Sequence, residues 1–219
     1  MKKTILIFTV FLCCLQLTGF AQKARVGLTG GVSIANMSKT LGGLDKDGEY
    51  RFGIAGGMLV DVPLGKKHKF SFQPSVDYVQ KGESEVPLAP INKSYTALRY
   101  AEMPLNFVYN LKWGKGVFYL GGGPYMAFNL PSKKVSQIPS NKIETDVSFG
   151  DKSTDDLRGI DYGGDVLLGY RMANGIFVSA NYTQGARNLY HVEEVPGAFN
   201  NKIKNIAFGI RIGFLFKAK

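Results

Sequence analysis

Large apolar residues recur at every second position in eight separate stretches of the chain. From Arg25 to Asn36, Val26, Leu28, Val32 and Ile34 share one parity, against Gly27, Thr29, Gly31 and Ser33. From Tyr50 to Val62, Phe52, Ile54, Met58, Val60 and Val62 oppose Gly53, Ala55, Gly57 and Asp61. Phe70, Phe72, Val76 and Tyr78 then alternate with Ser71, Gln73, Ser75 and Asp77, and Met103, Leu105, Phe107 and Tyr109 with Glu102, Asn106 and Asn110. The fifth stretch, Val117 to Asn129, puts Phe118, Leu120, Met126 and Phe128 on one parity. The sixth sets Tyr162, Val166, Leu168 and Tyr170 against Asp165 and Arg171, and the seventh Ile176, Val178, Ala180 and Tyr182 against Ser179, Asn181 and Thr183. The last is the most regular, with Ile206, Phe208, Ile210, Ile212, Phe214 and Phe216 alternating with Asn205, Ala207, Gly209, Arg211 and Gly213. A period of two is that of a strand, whose side chains point alternately to opposite faces.

The two faces differ in kind. One carries Gly, Ser, Thr, Asn and charge, which does not describe a dry core. The other is bulky and apolar, and nothing else in the chain is left to cover it. That face therefore points to lipid. The connections agree. Leu64–Lys69, Lys112–Lys115 and Met172–Gly175 are short, whereas Ser38–Glu49, Gly82–Ser94, Pro131–Gly159 and Ala186–Lys202 are long and polar. Alternation of short periplasmic turns and long outer loops is the asymmetry of an outer-membrane barrel. A tilted strand crosses the membrane in about ten residues, so 219 residues suit eight strands and not sixteen. The fold expected is an all-β, eight-stranded antiparallel up-and-down transmembrane barrel. Phe70, Phe72, Tyr109, Phe118, Tyr170, Phe214 and Phe216 lie toward the turn side, and Phe52, Tyr78, Phe128, Tyr162 and Tyr182 toward the loop side. They predict two aromatic girdles at headgroup depth. Pro74, Pro104 and Pro124 fall inside strands three, four and five. Each lacks a ladder donor and predicts a bulge or a local break.

The N-terminus reads as an export signal, residues 1–21, with Lys2 and Lys3 before an apolar run from Ile5 to Leu17 and a small-x-small site at Gly19–Ala21. Residues 22–219 form the barrel domain. Both cysteines, Cys13 and Cys14, fall inside the signal, so the mature chain has no disulfide. The formal net charge of +10 raises nucleic acid as a partner. An exported chain excludes it, and the charges sit in turns and loops, where they suit anionic headgroups and solvent.

The stretches Phe70–Tyr78 (FSFQPSVDY), Tyr100–Leu105 (YAEMPL) and Gly121–Tyr125 (GGGPY) resemble the PorT-like small outer-membrane β-barrel proteins of Bacteroidetes-type bacteria. Tyr170-Arg171, Asn181–Gly185 (NYTQG) and the closing Gly209–Phe214 (GIRIGF) are similar to the same family. The resemblance spans essentially the whole mature chain and implies an eight-stranded barrel in the outer membrane. One founding member of that family takes part in type IX protein secretion, and most have no assigned task. The chain departs from many outer-membrane barrels by ending in Lys217-Ala218-Lys219 after the aromatic Phe216.

Candidate chemistry is sparse. His68 lies in the basic turn Lys66–Lys69 and reads as solvated; His191 lies in the last long loop beside Glu193 and Glu194. Asp146, Asp151, Asp155 and Asp156 lack the Asp-x-Asp-x-Asp-Gly spacing of a calcium loop. Gly121–Gly123 lacks the lysine and helix of a phosphate loop. No catalytic residue, metal or cofactor is expected. The informative polar groups are those that parity points inward: Asp61, Asp77, Glu102, Asp165, Arg171 and Arg211. An eight-stranded barrel is barely wide enough for its own side chains, so these charges need one another. A salt-bridged plug centred on Arg211, with Glu102 and Asp165, is expected. The function expected is a non-enzymatic structural or interaction role, with a secretion-accessory role as the form the resemblance implies. The alternatives are an outer-membrane enzyme acting on lipid A or peptides, and a small-solute channel. Partners expected are outer-membrane lipid and a protein met through the long, mobile outer loops.

Overall fold

In the computed structural model, the described residues are 24–46, 48–65, 68–85, 91, 93–138, 141–150, 152, 154–190 and 201–217. The signal assigned to 1–21, the segment with His191, Glu193 and Glu194, and Asp151 lie outside them. Among the described residues ten strands form: β1 (Arg25–Leu41), β2 (Leu44–Asp45), β3 (Glu49–Leu64), β4 (Phe70–Glu85), β5 (Lys93–Trp113), β6 (Gly116–Ile138), β7 (Asn141–Asp146), β8 (Ile160–Arg171), β9 (Ile176–Gly185) and β10 (Lys202–Leu215). β2 and β7 are short additions on β1 and β6. The other eight run antiparallel to their neighbours, and β10 pairs β1 from Gly27↔Leu215 to Thr40↔Lys202, which closes the ring. Closure leaves the eight no free edge through the membrane. The turn-side connections after β3, β5 and β8 carry Gly65, Gly114 and Gly175, each at positive φ.

The alternation maps onto the two faces. Phe52, Ile54, Met58, Phe107, Leu120, Val166, Ile210 and Ile212 are exposed on the outside, Phe107 and Ile212 both at 60%. Aromatic neighbours pack where the girdles are expected: Phe70 with Tyr109 (5.0 Å between ring centres) and Phe214 with Phe216 (5.1 Å) on the turn side, Tyr182 with Phe208 (4.8 Å) toward the loops. No helix among the described residues is long and apolar enough to cross a membrane.

Three features differ from the sequence expectation. First, β4, β5 and β6 run well past the membrane, taking up much of the segments expected as the loops Gly82–Ser94 and Pro131–Gly159. With β7 they make a sheet that stands above the barrel on the loop side. Second, the prolines interrupt pairing without shifting register. The β4–β5 ladder lapses between Pro74↔Leu105 and Asp77↔Glu102, and the β5–β6 ladder between Pro104↔Tyr125 and Phe107↔Gly122. The register shifts fall elsewhere, between Tyr50 and Ala55 and between Ala97 and Arg99. Third, parts of the long loops fold inward. Leu157 and Leu189 are buried with Met37, Leu98, Tyr100, Tyr125, Ala127 and Ile203 in an apolar cluster on the loop side.

Candidate functional site

The inward face carries an apolar group, Val108, Tyr119, Phe177 and Leu215, and a larger set of polar and charged residues. Asp61, Asp77, Glu102, Asp165 and Arg171 are each at most 9% exposed. They fall into three groups along the barrel axis.

The group nearest the turns centres on Asp61. Its Oδ2 accepts from Arg25 Nε at 3.1 Å and its Oδ1 from Gln73 Nε2 at 2.8 Å. Arg171 stands further off, with an Nη1–Oδ2 distance of 3.7 Å.

In the middle, Arg211 Nη1 pairs with Asp77 Oδ2 at 2.9 Å, and Ser75 Oγ donates to the same oxygen at 2.7 Å. Asp165 has two amide donors instead of a cation: Asn106 Nδ2 at 2.6 Å and Asn181 Nδ2 at 3.1 Å. These residues line a cavity of about 60 Å³ with Thr29, Gln73 and Ser179. That is room for a few waters at most and far too little for a solute path.

The group nearest the loops is built on Lys81. Its ammonium pairs with Glu102, and both side chains are 1% exposed. It also lies 4.6 Å from the ring centre of Tyr125 and 5.7 Å from that of Tyr100, within cation–π range. Asp161 completes this group, accepting from Asn205 Nδ2 at 2.9 Å and Tyr125 Oη at 3.2 Å. Asn205 Nδ2 also reaches Tyr100 Oη at 3.0 Å. Above it, Lys39 pairs with the buried Glu83. The apolar cluster of Leu157 and Leu189 lies against this end.

The plug expected around Arg211, Glu102 and Asp165 is arranged differently. Arg211 is joined to Asp77, Glu102 to Lys81, and Asp165 to two asparagines. The reason is local supply. The adjacent β9 and, across β6, β5 bring amides to Asp165, and the adjacent β4 brings an ammonium to Glu102, which leaves Arg211 to the carboxylate on β4. Lys81, Asp161 and Arg25 also face inward, but they stand at the ends of the alternating stretches and outside the expected plug. Lys81 shares the parity of Asp77, and Asp161 that of Asp165, so extending the same alternation finds both. His68 is exposed in its turn and has a positive φ of 50°. Among the described residues no cluster of His, Cys, Asp or Glu is placed to hold a metal.

The family described as outer membrane protein beta-barrel domain matches residues 20–191. No protein of curated function matches the chain in sequence. Among solved structures, the chain is similar to Ail, the attachment invasion locus protein of Yersinia pestis, at 8% identity, with 89% of this chain and 99% of that one covered and a TM-score of 0.44. It is similar to Neisserial surface protein A at 12% identity, with 88% and 99% covered and a TM-score of 0.44. The N-terminal β-barrel domain of Pseudomonas aeruginosa OprF gives 8% identity, 89% and 100% covered, and a TM-score of 0.31.

Proposed function

We propose a function from one premise: the chain belongs to the outer membrane protein β-barrel domain family, its place is the outer membrane, and its lumen is filled by its own side chains. The reading is a non-enzymatic, non-conducting barrel that acts as an interaction protein through its loop side. The observation that carries it is the stack of paired groups Asp61–Arg25, Asp77–Arg211 and Glu102–Lys81, roofed by Leu157 and Leu189. A channel needs an open path, and an enzyme needs polar groups that substrate can reach. Here the inward acids are held by neighbouring lumen residues. The sheet that β4–β7 raise above the barrel offers the surface instead, with β7 paired on one side only among the described residues. An unpaired strand edge is a ready template for a partner strand.

A secretion-accessory role of the PorT-like kind is the specific form of this reading. The ordered motifs from Phe70–Tyr78 to Gly209–Phe214 support it. In this orientation the turns are periplasmic and the sheet of β4–β7 is outside, after removal of a signal at residues 1–21.

The test has three arms. Purified protein in planar bilayers should give no steady conductance; a steady single-channel current refutes the closed barrel. A tag inserted at Asp151 should be labelled on intact cells; labelling only after permeabilisation reverses the orientation. Deleting the gene should change the set of secreted proteins; an unchanged set refutes the secretion role and leaves the barrel assignment standing.

A further inference from the structure

The turn-side mouth is built unlike the closed loop side. A vestibule of about 710 Å³ opens there, within the ~300–1,000 Å³ of small-molecule sites. Arg25, His68, Lys69, Lys112 and Arg171 line it. The acid facing this group is Asp61, and both its oxygens are already taken, Oδ1 by Gln73 at 2.8 Å and Oδ2 by Arg25 Nε at 3.1 Å. Arg171 is left at 3.7 Å, outside hydrogen-bond range. Its side chain is about nine-tenths buried, yet its guanidinium has no hydrogen bond to any described residue. Ser71, also buried, accepts from Asn110 Nδ2 at 2.9 Å, so its hydroxyl hydrogen is available to donate. Tyr109 and Leu111 add an apolar wall.

Arg171 thus has only a long ion pair to Asp61, at 3.7 Å, and lines the vestibule where a second counter-charge can reach it. Its fork of N–H groups matches two oxygens of one oxyanion. We propose that this mouth binds a phosphate-type oxyanion, with Arg171 as its buried anchor, Lys69 and Lys112 as flanking charges, and Ser71 as a neutral donor. The vestibule is larger than inorganic phosphate requires, so the organic part of a phosphate ester or a phospholipid headgroup fits beside the charge. The proposal does not rest on the interaction role of the loop side.

Calorimetric titration of the protein in maltoside micelles tests it, with inorganic phosphate, glycerol 3-phosphate and short-chain phosphatidylglycerol as probes. Saturable binding is expected, weakened about tenfold or more, equal to ~1.4 kcal/mol, in a Lys69→Gln/Lys112→Gln double variant. Both lysines are exposed, so the double variant keeps its fold, which Arg171→Gln need not. Lys142→Gln, on the loop-side hairpin, should bind as the parent does. Binding of inorganic phosphate assigns the site to a soluble anion; binding of the lipid alone assigns it to a headgroup. No saturable binding by any probe, or undiminished binding by the double variant, overturns the proposal.

Discussion

Asp77 and Glu102 stand directly opposite each other in the β4–β5 register, two carboxylates on the inner face, each 1% exposed. Like charges placed so are destabilising, and in a narrow lumen there is little water to screen them. The fold resolves this by sending them to different cations, Asp77 to Arg211 on β10 and Glu102 to Lys81 on its own neighbour strand.

Removing one of these cations should therefore expose the conflict. Lys81→Met leaves Glu102 buried beside Asp77 and Asp161, and should cost ~3–5 kcal/mol of unfolding free energy in detergent. Pairing it with Glu102→Gln should recover much of that loss, because the uncompensated charge is gone. Urea titration of the two single variants and the double variant measures the coupling. Additive effects would show that the ion pair is incidental.

Arg211 joins strands that are not neighbours, since β10 and β4 are separated in the ring by β1 and β3. Arg211→Ala removes a tie across the lumen as well as a charge partner, and should again cost ~3–5 kcal/mol. Lys142→Ala, whose ammonium pairs with Glu144 on the exposed hairpin, should cost far less, because a solvent-exposed pair is weak and screened. Equal and small effects of the two would mean that the lumen pairs contribute nothing beyond surface ones.

The middle of the lumen is crowded, and Gly57 makes the space. It pairs with Asp77, and a Cβ built on it would overlap the Asp77 carboxylate and the Val76 carbonyl. Gly57→Val should prevent the barrel from closing, read as loss of heat-modifiable migration on gels. Gly164→Val is the control, because a Cβ there meets nothing within 4 Å. Folding of both variants alike would refute the close approach.

Strand number, facing and closure were legible because burial in lipid imposes one rule on every strand. Residues such as Phe52, Phe107 and Ile212 must be apolar wherever they point outward, so parity alone sorts them. The lumen obeys no such uniform rule. Parity placed Asp61, Asp77, Glu102, Asp165, Arg171 and Arg211 inside, but partner choice depends on strand stagger across the ring, which alternation does not encode. The loop side was least legible. Above the membrane both faces of β5 and β6 meet water or protein, and the register shift between Ala97 and Arg99 breaks the parity that reveals a strand.

The exposed β6–β7 hairpin has its own pH signature. Glu144 accepts from Lys133 Nζ at 2.6 Å and stands 2.6 Å from Lys142 Nζ. These hydrogen bonds hold its carboxyl down to about 2, from an ordinary 4.5. A depressed carboxyl contributes stability above its unfolded value and loses it as pH falls through the folded one. The hairpin should thus stay ordered from neutral pH to about 4 and loosen toward pH 2, more readily in high salt. Side-chain carbon shifts of Glu144 across a pH titration read this directly. A midpoint at 4 or above would remove the ion triad.

The cap over the loop-side group makes the last prediction. Leu189 lies in a segment whose polarity suggests a mobile loop, yet it is 1% exposed. Its backbone is fixed at both groups: N–H donates to Ile203 O at 2.8 Å, and its carbonyl accepts from Arg158 N at 3.0 Å. The second bond ties the end of the β7–β8 connection to the start of the β9–β10 connection, and Leu157 packs in the same apolar cluster. Leu189→Ala should cost ~2–5 kcal/mol if the cap is part of the cooperative fold. It should also loosen the segment around Leu157, which Leu189 never follows in sequence by fewer than thirty residues. Limited proteolysis should then cut between Ser148 and Arg158 faster in the variant than in the parent, while Ala186→Ser, at an exposed neighbour, changes neither rate nor stability. Unaltered cleavage and an unaltered urea midpoint in Leu189→Ala would mean that the loops do not roof the barrel, and the case for a closed lumen would then rest on its ion pairs alone.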